Sequence, residues 1–152
     1  MEHIPIEIIQ EILFLVDFTD QIRLRQVCSK HHKYLEIHDF SAKIGDEYLE
    51  KLTDAILINY PFIRILYADS GDNKDNITTI SHFTNLKSLI ISKRCGITDM
   101  TLKSNTLAEL IIYDNKNVTC VDNLPNLTHL DASGNCGIND DGLKKANLVK
   151  LI

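Results

Sequence analysis

From residue 63 onward, apolar residues alternate with polar ones in short bursts that restart about every twenty positions. Leu86, Leu89 and Ile91 are answered by Leu107, Leu110 and Ile112, and again by Leu127, Leu130 and Ala132. The starts at 86, 107 and 127 lie 21 and 20 residues apart, and a further start, Leu148-Val-Lys-Leu151, follows 21 residues later. A looser copy, Ile63-Arg-Ile-Leu66-Tyr-Ala68, begins 23 residues before Leu86. Residues two apart on an extended chain project to the same side. Each burst therefore predicts a short strand with one apolar face, at 89–91, 110–112 and 130–132. Such a strand cannot bury that face alone. Stacking the next copy beside it yields a parallel ladder with a continuous apolar interior.

Between bursts the chain must turn twice. Asn115 and Asn135 stand at the ninth position of their copies, where an amide can satisfy backbone groups inside a turn, and Arg94 takes that place one copy earlier. Leaving a buried backbone group unpaired costs about 1–3 kcal/mol, which is why an amide is expected there. Cys95 and Cys136 occupy the tenth position and are expected as small buried fillers rather than a disulfide. A second pattern, I-x-D-x-x-L, occurs at Ile44–Leu49, Ile97–Leu102 and Ile138–Leu143; its Asp is expected to cap a helical turn. Ile77-Thr-Thr-Ile80 and Val118-Thr-Cys-Val121 lack the Asp and predict irregular turns. From Asp46, the spacing of Tyr48, Leu49, Leu52, Ala55, Ile56 and Tyr60 predicts a helix ending before Pro61, which would cover the first coil of the array. The pattern L-x-x-L-x-L-x-x-N-x-x-I over residues 63–152 resembles the leucine-rich repeat, and the Asp-led turns resemble its cysteine-type variety. No polar cap is visible after Leu151, which leaves open a shortened array or a final edge covered by a partner.

The first forty residues read differently. Ile8, Ile9, Ile12, Leu13 and Val16 form a broad helical stripe, with Pro5 suited to the first turn. Thr19 or Asp20 can cap a second short helix over 21–27, and Ser29 can open a third. Ile4, Pro5, Glu7, Ile12 and Leu13, followed by Leu24, Arg25, Val27 and Cys28, match the pattern of the F-box, which this segment resembles; His31 stands where that family usually has an aromatic. The resemblance implies docking to a Skp-type linker protein within a cullin ligase. It places Ile4, Pro5, Ile8, Ile9, Ile12, Leu24, Val27 and Cys28 at or beside the contact. Ile9, Leu13 and Val27 could equally serve as the module's own core. A bundle of about 40 residues is marginal without another surface to lean on.

Composition narrows the function classes. The 152-residue chain has a formal net charge of −5 and no Lys/Arg cluster, which argues against phosphate-backbone binding and nucleic acid partners. The apolar run from Ile4 to Phe18 is broken by Glu7, Gln10, Glu11 and Asp17, so it predicts neither a signal peptide nor a membrane span. An intracellular chain, cytoplasmic or nuclear, with reduced cysteines is expected. Cys28, His31, His32 and His38 do not have the spacing of a closed zinc site. Cys120 and His129 lack an orienting third group for nucleophilic catalysis. No phosphate-cradling glycine loop occurs, and Asp72–Asp75 lacks the ligand spacing of a calcium loop. No enzyme activity, cofactor or metal is expected.

The fold class expected is α/β: a small helical F-box-like module over 1–40, a linker and capping helix over 41–61, and a leucine-rich-repeat solenoid over 62–152 with parallel strands and a short irregular or helical convex side. On the strands, the positions facing away from the core would line a concave surface. These are Ile65, Tyr67 and Asp69; Ser88, Ile90 and Ser92; Glu109, Ile111 and Tyr113; and His129, Asp131 and Ser133. Tyr67, Ile90, Ile111 and Tyr113 form an apolar-aromatic column flanked by Asp69, Glu109, His129 and Asp131, and such a column marks a candidate surface for an unknown protein substrate. The competing account is an ordinary strand surface rich in β-formers. Two functions remain: a substrate adaptor of a ubiquitin ligase, or a free-standing repeat protein that binds or masks a partner.

Overall fold

The computed structural model describes residues 53–61, 63–68, 77–93 and 95–152, together with the backbone of Asp39–Phe40. The described part is a parallel β-solenoid of about four turns with little helix. Six strands form one sheet in chain order: β1 (Asp39–Phe40), β2 (Ile65–Ala68), β3 (Ser88–Ser92), β4 (Glu109–Tyr113), β5 (His129–Asp131) and β6 (Lys150–Leu151). Every neighbouring pair is parallel. The strands predicted at 89–91, 110–112 and 130–132 are present, the last ending one residue early.

Register explains the stability of the stack. Leu66, Leu89, Leu110 and Leu130 are paired across consecutive strands, and all are at most 1% exposed. Ala68, Ile91 and Ile112 form a second fully buried row. Ile77, Ile97 and Val118, with Leu86, Leu107 and Leu127, close the interior from the turn side. Because each rung meets its own kind one coil on, a repeat of about 20 residues suffices to keep the core continuous. The last rung differs: Leu151 pairs with Leu130 yet is 54% exposed.

Each coil also starts its strand in the same way. The Arg64 carbonyl accepts from the amides of Lys87 and Ser88 at 2.8 and 3.0 Å. Lys87 accepts from Ala108 and Glu109, Ala108 from Thr128 and His129, and Thr128 from Val149 and Lys150, all between 2.7 and 3.1 Å. One carbonyl thereby serves two amides where the chain bends into the sheet, so no donor is stranded at the corner.

Three sequence expectations need correction. Thr53 is extended (φ −135°, ψ 161°) and caps the short helix α1 (Asp54–Leu57). The helix expected from Asp46 to Tyr60 therefore does not run through Thr53, because a Thr hydroxyl competes for the backbone and favours caps; residues 46–52 lie outside the described residues. Asp99 and Asp140 of the I-x-D-x-x-L pattern do not cap their own turns, and Asp46 lies outside the described residues. Asp99 reaches to the following coil and accepts from Thr119 N (2.7 Å), Thr119 Oγ1 (2.5 Å) and Cys120 N (3.1 Å). Asp54, in Leu52-Thr53-Asp54-Ala55-Ile56-Leu57, does the same to Thr78, accepting from its amide at 3.1 Å and its hydroxyl at 2.5 Å. Capping falls to the residue before: Thr53 for α1, and Asn139 for the 3-10 turn Asp140–Leu143. Asp54 thus grips the coil of Thr78, and Asp99 the coil of Thr119.

The third correction concerns Asn135, which is exposed and donates its amide to Asp114 Oδ1 at 2.8 Å. Only Asn115 fills the interior amide position. Asp131 Oδ1 accepts from Ser133 N at 3.0 Å, a local turn at the end of β5, which stops at Asp131. Of the cysteines, Cys95 is buried as expected, whereas Cys136 is only half-buried; neither forms a disulfide among the described residues.

Replacing Asp99 by Ala removes three acceptor contacts at a partly exposed site and is expected to cost about 1–2 kcal/mol. Asp140 is exposed and has no hydrogen bond or ion pair among the described residues, so Asp140→Ala is expected to fall within about 0.5 kcal/mol of the parent. Urea midpoints of the two variants check the contrast.

His82 lies against Phe83, ring centroids 4.0 Å apart, and its Nε2 is the one buried side-chain polar atom without a partner among the described residues. Burial lowers its pKa below the usual 6.5, against the opposing charge of Asp54 and a hydrogen bond to the Leu57 backbone. The fold thus prefers the neutral ring. Its stabilising preference is present above pH 6.5 and is lost as the pH falls below that value. The unfolding midpoint is expected to drop between about pH 7 and pH 5, with a shallower slope in His82→Gln.

Candidate functional site

Alternation along each strand sends every second side chain away from the core, and the pairing registers line these up into rows across the sheet. One row runs Ile65, Ser88, Glu109, His129, Lys150. The next runs Tyr67, Ile90, Ile111, Asp131. A third, shorter row pairs Ser92 with Tyr113. The structure therefore brings Tyr67, Ile90, Glu109, Ile111, Tyr113, His129 and Asp131 onto one outward face. Asp69 lies outside the described residues.

Exposure is uneven across this face. Tyr113 is 56% exposed, and Glu109 and His129 are exposed, while Tyr67, Ile90, Ile111 and Asp131 are half-buried. Tyr67 leans on the interior cluster. Ser92, expected on this surface, is only 9% exposed and offers little to a partner. Ile90 and Ile111 are flanked by side chains on both sides, so they form a floor and Tyr113 a projecting edge. A row of aliphatic floor residues with an exposed aromatic beside it matches the usual make-up of a protein-contact centre.

The polar groups on the face are held by local bonds. Ser88 Oγ donates to Glu109 Oε2 at 2.8 Å across the β3–β4 gap. Thr128 Oγ1 and His129 Nδ1 lie 2.9 Å apart. Asp131 is anchored through Oδ1 by Ser133 N. Sequence reasoning named these residues individually. It missed the Ser88–Glu109 bond, whose signal is the common third position of two consecutive copies.

Among the described residues no group of three or more His, Cys, Asp or Glu could hold a metal ion, and no helix is long and apolar enough to cross a membrane. A shallow polar recess on the turn side runs between Thr84, Lys103 and Asp122. Its charged groups are exposed, and Asp122 pairs with Lys145 at 2.9 Å, holding the lysine pKa above its usual value through that hydrogen bond.

The second candidate surface, Ile4, Pro5, Ile8, Ile9, Ile12, Leu24, Val27 and Cys28, lies outside the described residues. Comparison with known proteins bears on it directly. No curated protein and no solved structure matches the chain. A family model does match, over residues 1–31 and not over the repeats: it is that of the F-box domain.

Proposed function

We propose that this chain is a substrate-recognition adaptor of a Skp/cullin/F-box ubiquitin ligase. In this reading, its F-box docks on the Skp-type linker, and the outward face of the leucine-rich-repeat-like sheet holds a protein substrate. The observation that carries the proposal is the F-box match at residues 1–31, followed along the same chain by a parallel solenoid. The adaptor performs no bond chemistry of its own. By holding linker and substrate on one chain it turns an encounter in solution into a local one, and the gain in effective concentration is what accelerates modification.

A helix with Ile8, Ile9 and Ile12 on one side fits a groove-docking mode, in which apolar anchors at i and i+4 carry the affinity. The test is co-purification with a Skp-type linker. The parent chain is expected to form a stoichiometric complex. Pro5→Ala combined with Ile12→Asp is expected to abolish it, since a carboxylate in an apolar contact has no partner to offset its lost hydration. Tyr67→Ala combined with Tyr113→Ala is expected to leave linker binding intact while removing captured substrates. Failure of the parent chain to bind any such linker would favour the free-standing masking role.

A further inference from the structure

The chemistry around Ile111 goes further than a generic contact surface. Glu109 precedes Ile111 by two positions on β4, and Asp131 is its register partner on β5. Each carboxylate has one oxygen committed to a local donor: Glu109 Oε2 to Ser88, Asp131 Oδ1 to Ser133. Neither enters an ion pair among the described residues, where the only ones are Lys144–Asp141 and Lys145–Asp122. Lys150 is two strands from Glu109, about 10 Å at the usual strand spacing, and stands diagonally beside Asp131 on the adjoining strand, yet it enters no ion pair among the described residues. Two carboxylates, held in place and not ion-paired, therefore bracket an aliphatic floor.

We infer that this face takes an extended protein segment in which a Lys or Arg side chain lies beside an aliphatic or aromatic one. The inference rests on the reading of the sheet face as the substrate surface. The aliphatic or aromatic group covers Ile90 and Ile111 against the edge of Tyr113, and the cation takes the remaining oxygens of Glu109 and Asp131. Row geometry sets the length: Tyr67 to Asp131 is three strand spacings, about 14 Å, which four or five extended residues cover. Charge argues against the alternatives. A second copy, also carrying −5, would bring like charges to the face, and a phosphate backbone would be repelled by the same carboxylates.

A random-peptide display library selected on the full chain tests this. The expected result is enrichment of sequences with Lys or Arg within two residues of an aliphatic or aromatic residue. Affinity of the enriched peptides is expected to fall about three- to tenfold on Glu109→Gln combined with Asp131→Asn, and to weaken with added salt. That double variant retains acceptors for Ser88 and Ser133, so circular dichroism is expected to be unchanged. Peptides that depend on Tyr113, scored with Tyr113→Ala, but bind the Gln/Asn variant equally well would overturn the inference while leaving the face as the substrate surface. Enriched acidic sequences, or a dimer lost on Tyr113→Ala, would overturn it too. Absence of any binder sensitive to Tyr113→Ala would overturn both.

Discussion

Asn115→Ala is expected to destabilise the solenoid by about 3 kcal/mol, several times the effect of an average surface change. The side chain is fully buried and works in two directions. Its Nδ2 donates to the Ser92 carbonyl at 2.8 Å and lies 3.4 Å from the Cys95 carbonyl, tying it to the preceding coil. Its Oδ1 accepts from Asn117 N at 2.8 Å and Val118 N at 3.3 Å, holding its own turn. Alanine removes the acceptor of the Asn117 and Val118 amides, while the Ser92 carbonyl keeps the Cys95 amide and the Cys95 carbonyl keeps Asn117 Nδ2; a stranded buried group costs about 1–3 kcal/mol before relaxation. Asp is expected to do no better. It restores the acceptor but places a carboxylate against the Ser92 carbonyl, where the amide had supplied a donor. Urea denaturation followed by circular dichroism measures the shift. Hydrogen exchange at Asn117 and Val118 shows whether the loss starts at this turn, since repeat arrays can open in part.

Gly142→Ala is the second large effect, about 3 kcal/mol or more, and it falls on the last coil rather than the middle one. A Cβ built at Gly142 would stand 2.0 Å from the Thr119 carbonyl oxygen and 3.1 Å from its carbon. These are backbone atoms of the preceding coil and cannot swing aside as a side chain would. Gly134 differs: its φ is +73°, and the nearest obstacle is the Asp114 side chain at 2.6 Å. Gly142 also links the two coils through its carbonyl, which accepts from Val121 N at 3.2 Å. Pushing it away is expected to detach residues 138–152 as a unit. The amides of Lys150 and Ile152, which donate to Thr128 and Leu130, should then exchange freely while those of β3 and β4 stay protected. Equal loss of protection throughout would contradict this.

The parallel ladder was legible because its signal is repeated: Leu89, Leu110 and Leu130 each stand at the same place in a copy, and stacking is the one arrangement that hides all three. The outward face followed from the same alternation, so Tyr67, Ile90, Glu109, Ile111, Tyr113, His129 and Asp131 could be named without coordinates. What escaped were contacts between coils. Asp99 resembles a helix cap in its own neighbourhood, and its partner Thr119 lies 20 residues further on, where no local rule points to it. Leu52–Leu57 was hidden inside a longer helical pattern, because a buried Leu57 and a half-buried Tyr60 satisfy helical spacing whether or not Thr53 breaks the chain. Asn135 shows the reverse failure. It stands at the same place in its copy as Asn115, yet it is exposed and its backbone amide donates to Asp114 Oδ1.

The gripping of Thr78 by Asp54 and of Thr119 by Asp99 fixes which coils can follow one another. Excising residues 77–117, two coils together, would set Thr119 where Thr78 now stands, and Asp54 would find an equivalent hydroxyl and amide. Excising residues 97–117 alone would instead set the Thr119 coil against the Thr78 coil, where Thr79 stands in the place of Asp99, and leave Thr119 with no carboxylate. Shortening such a chain preserves its internal bonding only where the coil after each Asp still presents a Thr and the coil before each gripped Thr still presents an Asp.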